Sequence, residues 1–208
     1  MKSLIRLAAV AALATLTLTT LASDSSALAI GEVAPQTDVA LQNVDGKSLT
    51  LANVAGKKGT LVVFTCNACP FAKAWESRVA KLGNQALGQG IGVIAINSND
   101  PSVNAEDSYA QMQSRAKTLG LKFPYVVDAH SNLARAFGAT RTPEVFLFDA
   151  AGKLVYHGAI DDNSRDAKAV KEPYLRNAVA AVASNKAVTL AETKSIGCSI
   201  KFHEKSSD

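Results

Sequence analysis

The sequence predicts an α/β fold: a mixed, mainly parallel central sheet flanked by helices, extended at its start by a β-hairpin. Three observations carry this. Residues 60–65 (TLVVFT), 91–96 (IGVIAI) and 144–148 (EVFLF) are short, almost unbroken apolar runs rich in β-branched and aromatic residues, the pattern of strands covered on both faces. Segments with helical spacing lie between them, and strands alternating with helices build parallel sheets. Two short alternating runs flank Asp45-Gly46, a dipeptide suited to a tight hairpin turn.

In chain order, residues 38–41 and 47–51 form the expected hairpin, and Gly56-Lys57-Lys58-Gly59 punctuates the chain before the 60–65 strand. Residues 68–87 read as a helix with Phe71, Trp75, Val79 and Leu82 on its inward side, stopped by Gly88–Gly90. The 91–96 strand leads to a loop, Asn97-Ser98-Asn99-Asp100-Pro101, then to a polar-faced helix over 106–119 ended by Gly120. A third strand is expected over 123–127. Ser131 is placed to cap a short helix through Phe137 that Gly138 closes. Strands 144–148 and 154–157 pair through Asp149-Ala150-Ala151-Gly152, and that closing hairpin makes the sheet mixed. A last helix runs from about 172 to 183, with Pro173 in its first turn. Beyond Asn185 the pattern dissolves into a tail over 189–208.

The first 29 residues read as a secretory signal rather than as fold. Lys2 and Arg6 precede an apolar run over 7–21, and Ala27-Leu28-Ala29 supplies small residues for cleavage, with Ala22 the other plausible site. The run falls short of the ~20 residues a membrane-spanning helix needs. An exported protein, periplasmic or extracellular, with no stable membrane insertion after cleavage is therefore expected, and residues 30–188 form one domain. The 22 basic and 18 acidic residues are scattered, and no basic stripe is interleaved with aromatics, which argues against nucleic acid as a partner.

Cys66-Asn67-Ala68-Cys69-Pro70 falls where a buried strand meets a helix. Unpaired backbone N–H groups and the partial positive charge at a helix start favour a thiolate there. Two intervening residues bring both sulfurs to one helix end. Cys66 is then the exposed nucleophile and Cys69 the resolving thiol of a thiol–disulfide exchange. Exchange chemistry competes with a structural disulfide, which usually closes a longer loop; with half of a zinc site, for which no second C-x-x-C or paired histidine exists; and with coincidence. Arg141-Thr142-Pro143 opens the EVFLF strand, where a proline serves either as an edge device or in a cis turn.

The strand–CxxCP–helix unit, the Thr142-Pro143 turn and the hairpin ending in Gly158-Ala159 resemble the thioredoxin superfamily. More narrowly, Cys66-Asn67-Ala68-Cys69-Pro70, Asn97-Ser98-Asn99-Asp100 and Gly197-Cys198-Ser199-Ile200-Lys201 resemble bacterial thioredoxin-like proteins of the AhpC/TSA (redoxin) type with a CNxCP motif. The resemblance covers about 32–203. It implies a thioredoxin-like fold, a cis Pro143 beside the Cys66–Cys69 pair, and a Thr142 backbone that receives a bound peptide strand. It implies an oxidoreductase without a bound cofactor, working on protein thiols and disulfides or on a redox partner protein.

The chain departs from that pattern in places. Thr65 precedes the motif where thioredoxin has tryptophan, and no acid interrupts the TLVVFT strand. Glu76 and Glu144 are the candidate substitutes, read here as a helix-surface and a strand-edge carboxylate. The proline–threonine spacing of a peroxiredoxin peroxide loop is missing around either cysteine, so a thiol peroxidase or antioxidant protein is the second reading. Cys198 is either a partly covered free thiol in a polar tail or a third redox cysteine that folds back to Cys66, and three is an odd number for pairing. His130, His157 and His203 follow no ligand spacing. Metal binding is not expected, with a copper-binding chaperone the third alternative.

Overall fold

A computed structural model describes residues 27–204; residues 1–26 of the expected signal, with the Ala22 site, lie outside them. The element order is β1 (Leu41–Asn43), β2 (Ser48–Leu49), α1 (Leu51–Val54), β3 (Gly59–Phe64), α2 (Pro70–Gly88), β4 (Ile91–Asn97), α3 (Tyr109–Leu119), β5 (Tyr125–Val127), α4 (Asn132–Phe137), β6 (Arg141–Thr142), β7 (Glu144–Asp149), β8 (Leu154–Gly158), α5 (Tyr174–Ala183) and β9 (Cys198–Ser199). Seven strands form one sheet in the order β2-β1-β5-β4-β3-β7-β8, and β6 and β9 pair separately. The central β5-β4-β3 run is parallel; the hairpin β1–β2 on one side and β7–β8 on the other are antiparallel.

Side chains alternate across the strands, so the sheet has two apolar faces. Leu61, Val63, Val93, Val145 and Leu147 meet Trp75 of α2 and Leu175 and Val179 of α5. Val62, Phe64, Ile94, Ile96, Phe146 and Phe148 meet Leu51, Leu133 and Phe137 on the other face. There Phe137 stands edge-on to Phe64, Phe146 and Phe148 at 5.3–6.0 Å. Each fully buried side chain of this size contributes about 1.5–3 kcal/mol.

Several local expectations are revised. Trp75 is buried and Val79 and Leu82 pack against the core as expected, joined by the buried Ala72, Ala80, Gly83 and Ala86, whereas Phe71 is exposed and stacks on Trp75. The small residues let α2 approach closely: a Cβ at Gly83 would lie 2.5 Å from the Phe123 ring. The 106–119 helix is broken into a 3₁₀ turn over Ala105–Asp107 and then α3. Ser131 does precede α4, yet the capping acceptor is the buried Asp128 carboxylate, which takes the Leu133 and Ala134 amides. The hairpin's second arm is cut short by α1, whose capping box joins Thr50 and Asn53. The tail is not patternless either. Residues 191–193 run beside β8, and 198–203 cross the end of the sheet near the cysteines.

Candidate redox site

β3 delivers Cys66 at its carboxyl end. Its neighbour Thr65 still donates to Ile96 O at 2.9 Å, and the chain then leaves the sheet. Helix α2 begins at Pro70, not at residue 68, because proline has no N–H to lose and suits the first helical position. Cys69 is therefore the N-cap of α2 rather than a residue inside it, and Cys66 lies just outside. Both are free thiols at the positive end of the helix. Cys66, expected to be exposed, is only 6% exposed, and Cys69 3%. Cys66 lines a small cleft of about 40 Å³, together with Thr65, Glu76, Arg115, Tyr125 and Pro143 among others.

Thr142 touches both sulfurs. Its Oγ1 lies 3.2 Å from Cys66 Sγ, and its carbonyl oxygen accepts from Cys69 Sγ at 3.0 Å. The Thr142–Pro143 bond is cis. The two thiols lie side by side and lose their protons as a coupled pair. The thiolate formed first is stabilised by its neighbour's S–H and forms below the ordinary thiol value; the second proton is held far above it, with burial adding to the cost. The hydroxyl of Thr142 can donate to a Cys66 thiolate, whereas its carbonyl needs the proton of Cys69. That arrangement puts the first charge on Cys66.

Sequence reasoning missed the group beneath the motif. Asp107, 3% exposed, accepts from the Asn67 amide at 2.6 Å and from the Ala68 amide at 3.2 Å. Its other oxygen accepts from Asn99 Nδ2 at 2.9 Å, and Asn97 Nδ2 donates to its main-chain carbonyl. A buried carboxylate thus holds the loop between the cysteines and occupies amides that would otherwise face the thiolate. Its charge pushes the Cys66 thiol up. Tyr125 closes the network by donating to Asn67 Oδ1 at 3.1 Å; burial, with the nearby charges of Cys66 and Asp107, raises its phenol well above the usual value. The Asn97–Asp100 loop was the available signal, since two asparagines and an aspartate after a buried strand can each fix backbone groups.

Glu144 is not a strand-edge carboxylate. It is 3% exposed, with Oε2 accepting from the Thr140 and Arg141 amides and Oε1 from Ser195 Oγ, while His157 Nε2 lies 2.8 Å away. Burial pushes its carboxyl up, but His157 and the two amides outweigh this and hold it below the usual value. It fastens the turn before Pro143 to β8 and to the tail. Glu76 is paired with Arg115 at 2.6 Å on the wall of the Cys66 cleft, so it is part of the site's surroundings rather than plain helix surface.

Cys198 lies in β9, not in an irregular tail. It is half-buried, sits opposite Thr142 in the β6–β9 pair and packs against the cluster of Cys66, Cys69 and Ala72, with Cys69, the resolving position, the thiol that acts on it. The Thr142 edge expected to receive a peptide strand is therefore occupied by the chain's own residues. Burial, and then the neighbouring Cys69, raise the Cys198 thiol to about 11. His157 serves Glu144, and His203 faces Asp100 at 3.7 Å. Among the described residues, no group of three His, Cys, Asp or Glu could hold a metal ion.

Comparison with known proteins agrees with this geometry. A crystal structure of a hypothetical protein from Sinorhizobium meliloti 1021 is 37% identical, covers 87% of this chain and 98% of its own, and superposes with a TM-score of 0.79. Thiol-disulfide oxidoreductase ResA of Halalkalibacterium halodurans is 29% identical over 133 residues, 64% of this chain and 70% of that protein. A thioredoxin-like protein solved in its oxidised form, 19% identical, aligns over 76% of this chain and 97% of its own with a TM-score of 0.58, a likeness of fold. The thioredoxin-like α/β fold expected from the sequence is thus the one observed. The AhpC/TSA family model matches residues 30–157, the segment that runs from the N-terminal hairpin through both motif cysteines and the cis proline into β8, and the chain belongs to that family.

Proposed function

We propose that this protein is an extracytoplasmic thiol–disulfide oxidoreductase that uses the Cys66–Cys69 pair on protein thiols and disulfides. The observation that carries the reading is Thr142 set against both sulfurs at the start of α2, hydroxyl to Cys66 and carbonyl to Cys69. In the reducing direction, the Cys66 thiolate attacks one sulfur of a partner disulfide arriving at the cleft, and the partner's other sulfur leaves as a thiolate. The Cys69 thiolate then attacks the Cys66 sulfur, closing Cys66–Cys69 and releasing the second partner thiolate. Every step exchanges one S–S bond for another, and the same steps reversed oxidise a dithiol. The resemblance to a thiol-disulfide oxidoreductase supports this chemistry.

Equilibrating the protein in graded thiol buffers, followed by alkylation and mass mapping, tests it. A reversible Cys66–Cys69 disulfide is expected, with a potential between about −120 and −270 mV. A pair that never closes would sink the reading.

Export is part of the proposal, and contacts near the chain start favour one of the two cleavage sites. The Leu28 amide donates to Phe137 O at 3.1 Å and its side chain packs on the Phe137 face of the core; the Ala29 amide donates to Glu32 at 2.7 Å. Cleavage after Ala22 keeps these contacts and cleavage after Ala29 removes them. The intact mass of the exported protein is expected to match a chain starting at Ser23; a mass matching Ile30 would reject that choice, and the full-length mass would reject cleavage.

A further inference from the structure

The Cys69 sulfur has a second thiol beside it. Cys198 packs against the cluster of Cys66, Cys69 and Ala72 and pairs with Thr142, whose carbonyl accepts from Cys69 Sγ at 3.0 Å and whose hydroxyl lies 3.2 Å from Cys66 Sγ, so Thr142 gathers all three thiols. Cys198 is brought there by pairing: Thr142 lies opposite Cys198 and Arg141 opposite Ser199 in an antiparallel bridge, and the Ile200 amide donates to Thr140 O at 3.0 Å. This is how an extended peptide would add to the strand preceding Pro143.

The seat is built along its whole length. A Cβ on Gly197 would lie 2.2 Å from Thr142 O, so only glycine allows this approach. Ile200 is 5% exposed in the core face shared with Phe137. The Lys201 amide donates to Asn99 Oδ1 at 2.9 Å, and the Asp100 amide to Lys201 O at 2.7 Å. His203 is held by Ser131 Oγ through its amide and by Arg135 through its carbonyl. Asn99 thus touches both the tail and Asp107, the carboxylate under the motif.

We propose that β9 is a tethered redox partner and that Cys198 takes over the disulfide from the Cys66–Cys69 pair by attacking Cys69, moving the oxidising equivalent from a buried site to a half-exposed one. The inference rests on exchange chemistry at Cys66–Cys69. With the pair oxidised, the Cys198 thiolate attacks Cys69 Sγ; the Cys69–Cys198 bond forms as the Cys66–Cys69 bond breaks, and the electron pair leaves on Cys66. The proton given up by Cys198 is matched by one taken up at Cys66, so no outside oxidant or reductant enters the step. The Thr142 hydroxyl faces the leaving Cys66 sulfur at 3.2 Å. Lys201 nearby favours the Cys198 thiolate that makes this attack. Cys66 is then free for another partner disulfide on the cleft side. An external thiol reductant can meet the Cys69–Cys198 bond on the tail side.

The test is disulfide mapping of the full mature chain in the same graded thiol buffers. In Cys66→Ser, a reversible Cys69–Cys198 disulfide is expected. If Cys198 of that variant alkylates completely in buffers that close Cys66–Cys69 in the unaltered protein, the proposal is overturned. Acid quenching of the unaltered protein during turnover gives an independent reading: both pairings are expected, and Cys66–Cys69 alone at every time point counts against the transfer. Gly197→Val keeps all three cysteines while pushing β9 off Thr142. In the Cys66→Ser background it is expected to slow Cys69–Cys198 closure about 10-fold or more by lowering the effective concentration of Cys198. Undiminished closure would refute β9 pairing as the device. Failure of the unaltered protein to close Cys66–Cys69 at all would strike the exchange reading itself, a result distinct from each of these.

Discussion

Replacing Cys69 by serine is expected to turn the protein from a turnover catalyst into a covalent trap. The Cys66 thiolate still attacks a partner disulfide, because its thiol, the Thr142 hydroxyl at 3.2 Å and the cleft remain. The mixed disulfide then has no resolving thiol beside it, since Cys69 rather than Cys66 is the thiol that acts on Cys198. Turnover on a peptide disulfide should fall about 10³-fold or more, as when a covalent catalyst loses one member of a concerted pair. An adduct mapping to Cys66 should accumulate and dissolve in excess dithiol. Cys66→Ser should lose turnover to the same degree without any adduct. The contrast between the variants is the decisive measurement. Normal turnover in either one, or an adduct that maps to Cys198, would overturn the assignment of Cys66 as nucleophile and Cys69 as resolver.

Removing the charge beneath the motif should change the potential of the pair. Asp107 occupies the Asn67 and Ala68 amides and opposes a Cys66 thiolate, which disfavours the ionised reduced form. Asp107→Asn keeps an oxygen for those amides and removes the charge. The thiol pKa of Cys66 is then expected to fall, the pH profile of its alkylation to move to lower pH, and the reduced state to gain stability near neutral pH. A stabilised dithiol is a stronger oxidant as its disulfide, so the potential should rise, on the order of 30 mV for about 1.4 kcal/mol in this two-electron couple. The new amide also faces Asn99 Nδ2, leaving one donor without an acceptor at a cost of about 1–3 kcal/mol. Denaturant unfolding measures that loss separately. A variant that loses stability while its alkylation profile and potential stay unchanged would make Asp107 a purely structural clamp.

Much of the architecture was legible because it is written in local patterns. β3, β4 and β7 are apolar runs of the right length, and burial on both faces leaves such runs few alternatives. Cys66 and Cys69 could be placed at a strand–helix junction for the same reason, and Pro70 marks where α2 begins. Where a pattern was local but its partners were distant, the reading slipped. Phe71 has the spacing of a core residue, yet it lies outside on Trp75, while the smaller Ala72 packs with the cysteines and Gly83 lets Phe123 approach. Ser131 has the identity of a cap, but Asp128 takes the amides and leaves the serine hydroxyl to the tail.

The sequence by itself determined the α/β class, the strand order along the chain and the pair of cysteines at one helix end, since each follows from periodicity or from spacing within a few residues. Only the tertiary structure decided what surrounds that pair. Asp107 reaches the motif from 40 residues away, Glu144 is buried against His157 and Ser195, and Cys198 crosses the sheet end to lie beside Cys69 and opposite Thr142. Such contacts have no period and no local signature. They exist because folding closes long loops onto one small volume, where each buried polar group must find a partner wherever the chain supplies one.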